Sequence, residues 1–371
     1  MDVTKMDVQA AVKTCANWKA AGIDKVKNFW IKYLHSTHTF LAEQYTKLLK
    51  DTPQNQDAEC LVPKWLTQGV THLLPKHALT ENPKNYRPVA CLPTMYKVLT
   101  KILAHRAYSH LENYLPPEQK GCKKHCFGCK DILCLNELLL KNCRDRKCNL
   151  SMSWIDYQKA FDSVPHSWLL RAMKLYKLHP VVIDFVKTTM PNWSTQIHLK
   201  HEGGTLITSN INIDCGIFQG DSFSPLLFTL ALAPLSELPR KSGCGYDLGR
   251  KAGSQGNLIH HLFYMDDLKL FAKSDKQMAQ MLDIVYQFSQ DINMKFGLDK
   301  CAKVTIHQGE IKQSGNIQIV RDTAMTELEA DGCYRYLVLT ENNQINHKEM
   351  KTKLKKEYFK RVRRVLQSEL N

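Results

Sequence analysis

Two adjacent carboxylates inside an apolar, aromatic run constrain this chain more than any other feature. The run is Leu258-Ile-His-His-Leu-Phe-Tyr-Met-Asp-Asp-Leu-Lys-Leu-Phe-Ala272, with Asp266 and Asp267 between its two arms. After the pair, Leu268, Leu270 and Ala272 alternate with Lys269 and Lys273, the two-residue period of a half-buried strand. The expectation is a β-hairpin with both acids at its tip. Neighbouring carboxylates repel each other, so a tight turn that keeps both suits a hard divalent cation held through oxygen ligands. An ordinary Asp-Asp turn has the same local sequence, and the rest of the chain has to decide between the two readings.

Charge narrows the partner. Lys and Arg number 51 against 36 Asp and Glu, a formal net charge of +15, which favours a partner of dense negative charge, nucleic acid ahead of a membrane surface. A length of 371 residues with 43% hydrophobic residues is enough for two or three packed subdomains. The longest apolar run, Pro225 to Leu235, is too short to span a bilayer. No charged start followed by an apolar core stands near Met1, so the thirteen cysteines are expected to be reduced thiols in an intracellular protein, nuclear or cytoplasmic and not secreted.

In chain order, Val8, Ala11, Val12, Cys15 and Trp18 recur at helical spacing behind Asp7, a candidate cap. Further helices are expected near Lys25 to Leu34 and Thr39 to Leu49. Short, basic, proline-punctuated stretches around Val62 and Thr71 to Lys76 suit strands and loops at a phosphate surface. Met95, Val98, Leu99, Ile102 and Leu103 return to the helical period. Cys122, Cys126, Cys129 and Cys134, with His125 among them, raise the question of zinc, but only the Cys-x2-Cys step has ligand spacing, and Asp131 to Leu140 reads as a helix. Asn149 to Asp156 reads as a strand delivering an acid at its end, and a helix follows from Trp168 to Tyr176. Ile207 to Ile213 is a further strand candidate. Ser224-Pro225 opens an all-round apolar helix that Pro234 is expected to kink or end. Ser274-x-x-Gln277 is a capping box ahead of the stripe Met278, Met281, Leu282, Val285 and Phe288. Strand, helix, hairpin, helix is an order in which one sheet can carry Asp156 beside Asp266. Two carboxylates converging on divalent cations are what two-metal phosphoryl transfer requires.

Four segments then carry a resemblance. Asn85-Tyr-Arg-Pro-Val-Ala-Cys-Leu-Pro93, Asp156-Tyr-Gln-Lys-Ala-Phe-Asp-Ser-Val164, Gly216-Ile-Phe-Gln-Gly-Asp-Ser-Phe-Ser-Pro-Leu-Leu-Phe228 and Phe263-Tyr-Met-Asp-Asp267 resemble, in order and spacing, motifs of reverse transcriptases. They look most like those of non-long-terminal-repeat (LINE-type) retrotransposons, and the resemblance extends from Trp18-Lys-Ala-Ala-Gly-Ile-Asp24 to Tyr334-Arg-Tyr-Leu337. The resemblance implies an α+β right-hand polymerase with fingers, a palm on a split-βαβ, ferredoxin-like sheet, and a thumb. An N-terminal extension and fingers are expected over 1–149, the palm over 150–305 with a helical segment at 164–200, and the palm-thumb junction and basic thumb helix over 306–371. It implies an RNA-directed DNA polymerase that extends a DNA primer on an RNA template from deoxynucleoside triphosphates. Two Mg2+ ions, or Mn2+ as a substitute, are implied on Asp156, Asp266 and Asp267. Phe161 matches the aromatic residue that excludes a 2′-hydroxyl, Gln219 and Gly220 match contacts to the nascent base pair, and Arg87 and Lys76 match cations that reach the triphosphate. Lys300 resembles a lysine that protonates pyrophosphate, although Lys295 and Lys303 stand close by.

The last residues form a candidate thumb helix, with Met350, Leu354, Tyr358 and Val362 on one face and Lys351, Lys353, Lys355, Lys356, Lys360, Arg361, Arg363 and Arg364 over the rest. A nuclear-import signal or a solvated face has the same composition. The chain departs from the family pattern at Val338, where glycine is usual, at Ser222-Phe223, and at Cys215, where a basic residue is common. No stretch reads as the endonuclease that family members carry, so an isolated polymerase core is expected. The alternatives are a catalytically inactive nucleic-acid-binding remnant and a zinc-organised interaction protein.

Overall fold

The computed structural model describes the chain except residues 52–61, 76–81, 83–84, 202–203, 250–257, 321–322, 338 and 369–371. Lys76 and Val338 lie outside the described residues. The chain forms two compact units, one of residues 1–115 with 159–233 and the other of residues 116–158 with 234–371.

The first unit opens on the helix Lys5–Lys13. Its cap is Thr4, not Asp7: Thr4 Oγ1 accepts from Asp7 N, and the Asp7 carboxylate reaches back to Thr4 N, so the expected cap is the third helical residue of a capping box. The next two helices are Asn28–Tyr33, shorter than expected, and Thr37–Lys50. The Gly22-Ile23-Asp24 turn has a structural task. Asp24 Oδ2 accepts from Thr94 N at 2.6 Å, placing a carboxylate at the start of the helix Thr94–Leu111, whose own N-cap, Pro93, has no side-chain acceptor. A Cβ on Gly22 would lie 2.3 Å from the Leu92 carbonyl carbon, so only glycine permits this approach. The sheet of this unit runs in the order Tyr86–Cys91, Gln68–Pro75, Ser194–His201, Gly204–Ile207, with Ile211–Asn212 also on Ser194–His201. The expected single strand Ile207 to Ile213 is therefore two short ones.

The second unit is built on an antiparallel sheet ordered Glu310–Ile311, Ala302–His307, Leu150–Ile155, Asp267–Ala272, His261–Tyr264. Counting only the four longer strands in chain order, the sequence across the sheet is fourth, first, third, second, which is the split-βαβ order. The helix Asp275–Asp291 packs on Leu150–Ile155 and Asp267–Ala272 through its buried stripe Met278, Met281, Leu282, Val285 and Phe288. Half of the expected capping box forms at Ser274: its Oγ accepts from Gln277 N, while Gln277 Oε1 accepts from Lys273 N instead of Ser274 N. On the other face, Met152, Trp154, Phe271, Val304 and Ile306 share one core with Ile132, Leu139 and Leu140 of the helix Cys129–Asp145.

Both faces of Asp267–Ala272 are thus covered, and this corrects the half-buried reading of that strand. Lys269, expected on a solvent face, is fully buried opposite Trp154 in the sheet register. Its ammonium contacts Glu341 Oε1 at 2.5 Å and Asn136 Oδ1 at 2.6 Å and stands over the Trp154 ring. Glu341 comes from the hairpin of Tyr334–Tyr336 and Leu339–Glu341. Two further corrections concern helices. Ser224–Lys241 runs on through Pro234 and Pro239 instead of ending at the first, and the division between the units falls within it, after Ala233. The basic helix His347–Leu366 buries none of its residues, so its apolar face is exposed, with Leu354 and Tyr358 each 64% accessible. Among the described residues, no helix is long and apolar enough to cross a membrane.

Candidate active site

The acidic turn belongs to the second unit. Tyr264 pairs with Asp267, which leaves Met265 and Asp266 as a two-residue hairpin loop; Asp266 is at the tip, and Asp267 is the first residue of the outgoing strand. Leu268 pairs with Ile155, and that register puts Asp156, one residue beyond the end of Leu150–Ile155, beside the turn.

The segment after the helix Asp275–Asp291 holds Asp156 in place. Its backbone carbonyl accepts from Gly297 N at 2.7 Å, and its N–H donates to Cys301 Sγ at 3.4 Å. Tyr157 and Phe296 form a bridge, Gln158 N donates to Lys295 O, and the Tyr157 hydroxyl meets Ser289 Oγ at 2.9 Å. A Cβ on Gly297 would come within 2.9 Å of Asp156 Oδ2. From the same segment, Lys300 Nζ stands 3.1 Å from Asp156 Oδ2, and the Lys300 carbonyl accepts from the Tyr334 hydroxyl at 2.8 Å. Sequence reasoning left Lys300, Lys295 and Lys303 in competition. The structure brings Lys300 to the acid, while the buried Lys303 pairs with Asp275 and Glu327.

Burial and mutual repulsion set the electrostatics. Burial is the largest cause holding the Asp266 carboxyl above its ordinary range, with the Asp156 charge adding to it. Burial, then Asp266, then Asp156, push Asp267 up to about 6. The hydrogen bond to Asp156 is the main cause raising Lys300. Three acids in one region with oxygen-only donors fit a hard divalent cation, whose charge would relieve the crowding. As side chains stand, however, no group of three or more His, Cys, Asp or Glu among the described residues is arranged to hold a metal ion. Of the cysteines, Cys122 and Cys134 are exposed, and Cys126 Sγ is directed to the Lys120 and Lys123 carbonyls.

Of the residues that the resemblance assigns to the nucleotide, Arg87, Phe161, Gln219 and Gly220 lie in the first unit. Arg87 is exposed on the strand Tyr86–Cys91. Ala90, on the same strand, donates its N–H to Gln219 O at 2.9 Å, and a Cβ on Gly220, whose φ is 129°, would lie 2.4 Å from Ala90 O. Gln219 Nε2 reaches Asp162 Oδ1 at 3.3 Å. Phe161 accepts at its carbonyl from Ile217 N and stacks on Phe228 with ring centroids 4.3 Å apart. Lys76 is outside the described residues. Phe223, one of the departures from the family pattern, is a buried core residue, and Cys215 is exposed. Sequence reasoning missed Glu341 and Asn136 around Lys269. The available signal was the ionisable residue inside a run otherwise fit for a core.

Residues 74–351 match the family described as reverse transcriptase (RNA-dependent DNA polymerase). The chain belongs to that family. Among its relatives, the Pol polyprotein of the type-2 retrotransposable element R2DM from Drosophila melanogaster is 27% identical over 244 residues, which is 66% of this chain and 22% of the relative. A Pol polyprotein of a type-1 retrotransposable element R2 from Popillia japonica is 27% identical over 311 residues, 82% of this chain and 39% of the relative. A 149 kDa protein of the transposon TX1 from Xenopus laevis is 25% identical over 288 residues, 76% of this chain and 21% of the relative. The chain therefore spans well under half the length of these relatives.

Proposed function

We propose that the chain is the polymerase portion of a non-long-terminal-repeat retrotransposon reverse transcriptase, extending a DNA primer on an RNA template with deoxynucleoside triphosphates. One observation carries the reading: within a family-matched segment, a sheet in split-βαβ order sets Asp156 beside the turn that bears Asp266 and Asp267. In this reading the second unit contains the palm sheet, the first contains the fingers, and His347–Leu366 is the thumb helix. The domain limits 1–149, 150–305 and 306–371 belong to the same reading.

Asp156, Asp266 and Asp267 would hold magnesium ions, or manganese in their place. Bound there, the ions supply the charge that lowers the pKa of the primer hydroxyl and offsets that of the leaving pyrophosphate. Lys300 carries a proton at Nζ beside Asp156 and is the group assigned to protonate pyrophosphate. Arg87, with Lys76, is assigned to the triphosphate, Phe161 to excluding the 2′-hydroxyl, and Gln219 and Gly220 to the nascent base pair. An exposed basic helix suits the phosphates of a template-primer duplex, whose binding should weaken steeply with salt. With such partners, the reading includes a location inside the cell, in nucleus or cytoplasm.

A second reading is a catalytically inactive nucleic-acid-binding remnant. Primer extension on an RNA template with magnesium, beside Asp266→Asn, decides between them. Asn keeps the shape and removes one charge. Extension by the wild type that falls at least about a hundredfold in the variant supports two-metal transfer. A folded wild type that binds duplex and extends nothing refutes it.

A further inference from the structure

We propose that Gln119 is a positioning residue for the acidic turn: its side-chain amide holds Met265 by both backbone polar groups and thereby fixes where Asp266 and Asp267 stand. Met265 has a φ of 57°, in the left-handed region. A two-residue hairpin loop commonly places glycine where φ must be positive, and an L residue with a Cβ persists there only when its surroundings over-determine it.

Gln119 supplies that constraint. It is 3% accessible. Its Oε1 accepts from Met265 N at 2.9 Å and from Gly121 N at 2.8 Å, and its Nε2 donates to Met265 O at 3.1 Å. One planar amide thus engages both polar groups of the strained residue, as a neighbouring strand would. The flanking backbone continues the pattern. Phe263 N donates to Glu118 O at 3.1 Å, Lys120 N donates to Phe263 O at 2.9 Å, and Gln119 bridges Phe263 in parallel. Glu118 is itself fixed by Arg240 Nη2, at 2.8 and 2.7 Å from its two oxygens. Gly121 completes the clamp, because a Cβ there would lie 2.7 Å from both Met265 N and Met265 Sδ.

Side-chain chemistry explains why this position takes glutamine. A carboxylate of the same length accepts the two N–H groups but faces the Met265 carbonyl with a second acceptor, and a thioether of similar length offers neither contact. Losing the clamp frees the turn to move the carboxylates, and small displacements of groups that position a reaction are costly to rate. That catalytic consequence rests on the polymerase reading above; the clamp itself does not.

The test uses the whole chain as wild type, Gln119→Met and Gln119→Glu, and reads amide hydrogen exchange at Met265 against Leu270 on the adjoining strand. Exchange at Met265 should accelerate by about tenfold or more in Gln119→Met while Leu270 is unchanged. Gln119→Glu keeps both acceptor contacts and loses only the donor, so it covers the case in which Gln119→Met does not fold, and an intermediate acceleration is expected. Equal Met265 protection in wild type and variants overturns the clamp whatever the activity shows. In primer extension, Gln119→Met should lower kcat by about tenfold or more with KM for template-primer within about twofold, and the loss should shrink in a Met265→Gly background, where positive φ carries no strain. Full activity of Gln119→Met beside a dead Asp266→Asn overturns the positioning role and leaves the polymerase reading standing. An inactive wild type overturns the polymerase reading, and the exchange result then decides the clamp.

Discussion

Replacing Lys269 with methionine isolates the buried ion pair beneath the acidic hairpin. Lys269 and Glu341 are both fully buried, with Nζ and Oε1 2.5 Å apart. Glu341 also accepts from Trp154 Nε1 at 2.9 Å and from Asn136 Nδ2 at 2.5 Å. Burial holds the Lys269 pKa below its ordinary value, and Glu341 opposes that shift. Methionine fills the volume of the stem and deletes the charge, which leaves a carboxylate in the core with two neutral donors. Breaking a buried pair by removing one partner costs about 3–5 kcal/mol. The two donors that remain place the expected loss near the lower end, about 3 kcal/mol. In a domain of 150–250 residues each kcal/mol moves the melting temperature by about 2–4 °C, so a fall of about 6–12 °C is expected. Lys269→Met with Glu341→Gln removes both charges and should recover most of the loss, to within about 1 kcal/mol of wild type. Urea unfolding at neutral pH across the four-member cycle measures the coupling. Additive single losses, or a Lys269→Met chain as stable as wild type, would refute the pairing.

Three further expectations follow from other residues. Asp221 is buried, accepts from Thr100 Oγ1 at 2.6 Å, and is pushed by burial from 3.8 up to about 6. Because the folded state binds the proton more tightly, Asp221 favours folding at low pH and loses that contribution as pH rises from about 4 through about 6. The stability difference between wild type and Asp221→Asn should therefore change across that window and level off above it, as thermal melts at stepped pH will show. Phe161→Val should admit ribonucleotides, raising their incorporation relative to deoxynucleotides by about tenfold or more in single-nucleotide extension, since a hydroxyl-sized void replaces the ring that stacks on Phe228. Neutralising Lys356, Lys360, Arg363 and Arg364 together should reduce the slope of log binding constant against log salt by up to about four, with the slope unchanged if the helix does not meet phosphates.

The parts of this protein that depend on near neighbours were legible in the sequence. Periodicity located the helices Thr94–Leu111 and Asp275–Asp291 and the strand that leaves the acidic turn, because those patterns repeat over a few residues. The acidic motifs also pointed to Asp156, Asp266 and Asp267 as neighbours, and the sheet register sets Asp156 beside the turn that bears the other two. Lys269 was misread because alternation along one strand does not reveal whether both faces are covered. A hairpin 72 residues later brings Glu341 to it. Gln119 has no local signature at all: it lies 146 residues from the turn it holds, and a glutamine two residues before a glycine is an ordinary loop composition until the fold brings Met265 to it. Capping followed the same rule. Thr4 and Asp7 are three residues apart and still traded roles, while Asp24 serves a helix that starts at Thr94. By itself the sequence determined the family and most of the longer helices, and it offered the three acids as candidates, because local periodicity and a demanding chemistry both write themselves into short spacings. Tertiary structure alone decided which charged groups are buried, what pairs with them and what fixes the strained turn, because those depend on desolvation and hydrogen bonds between residues that only folding makes neighbours.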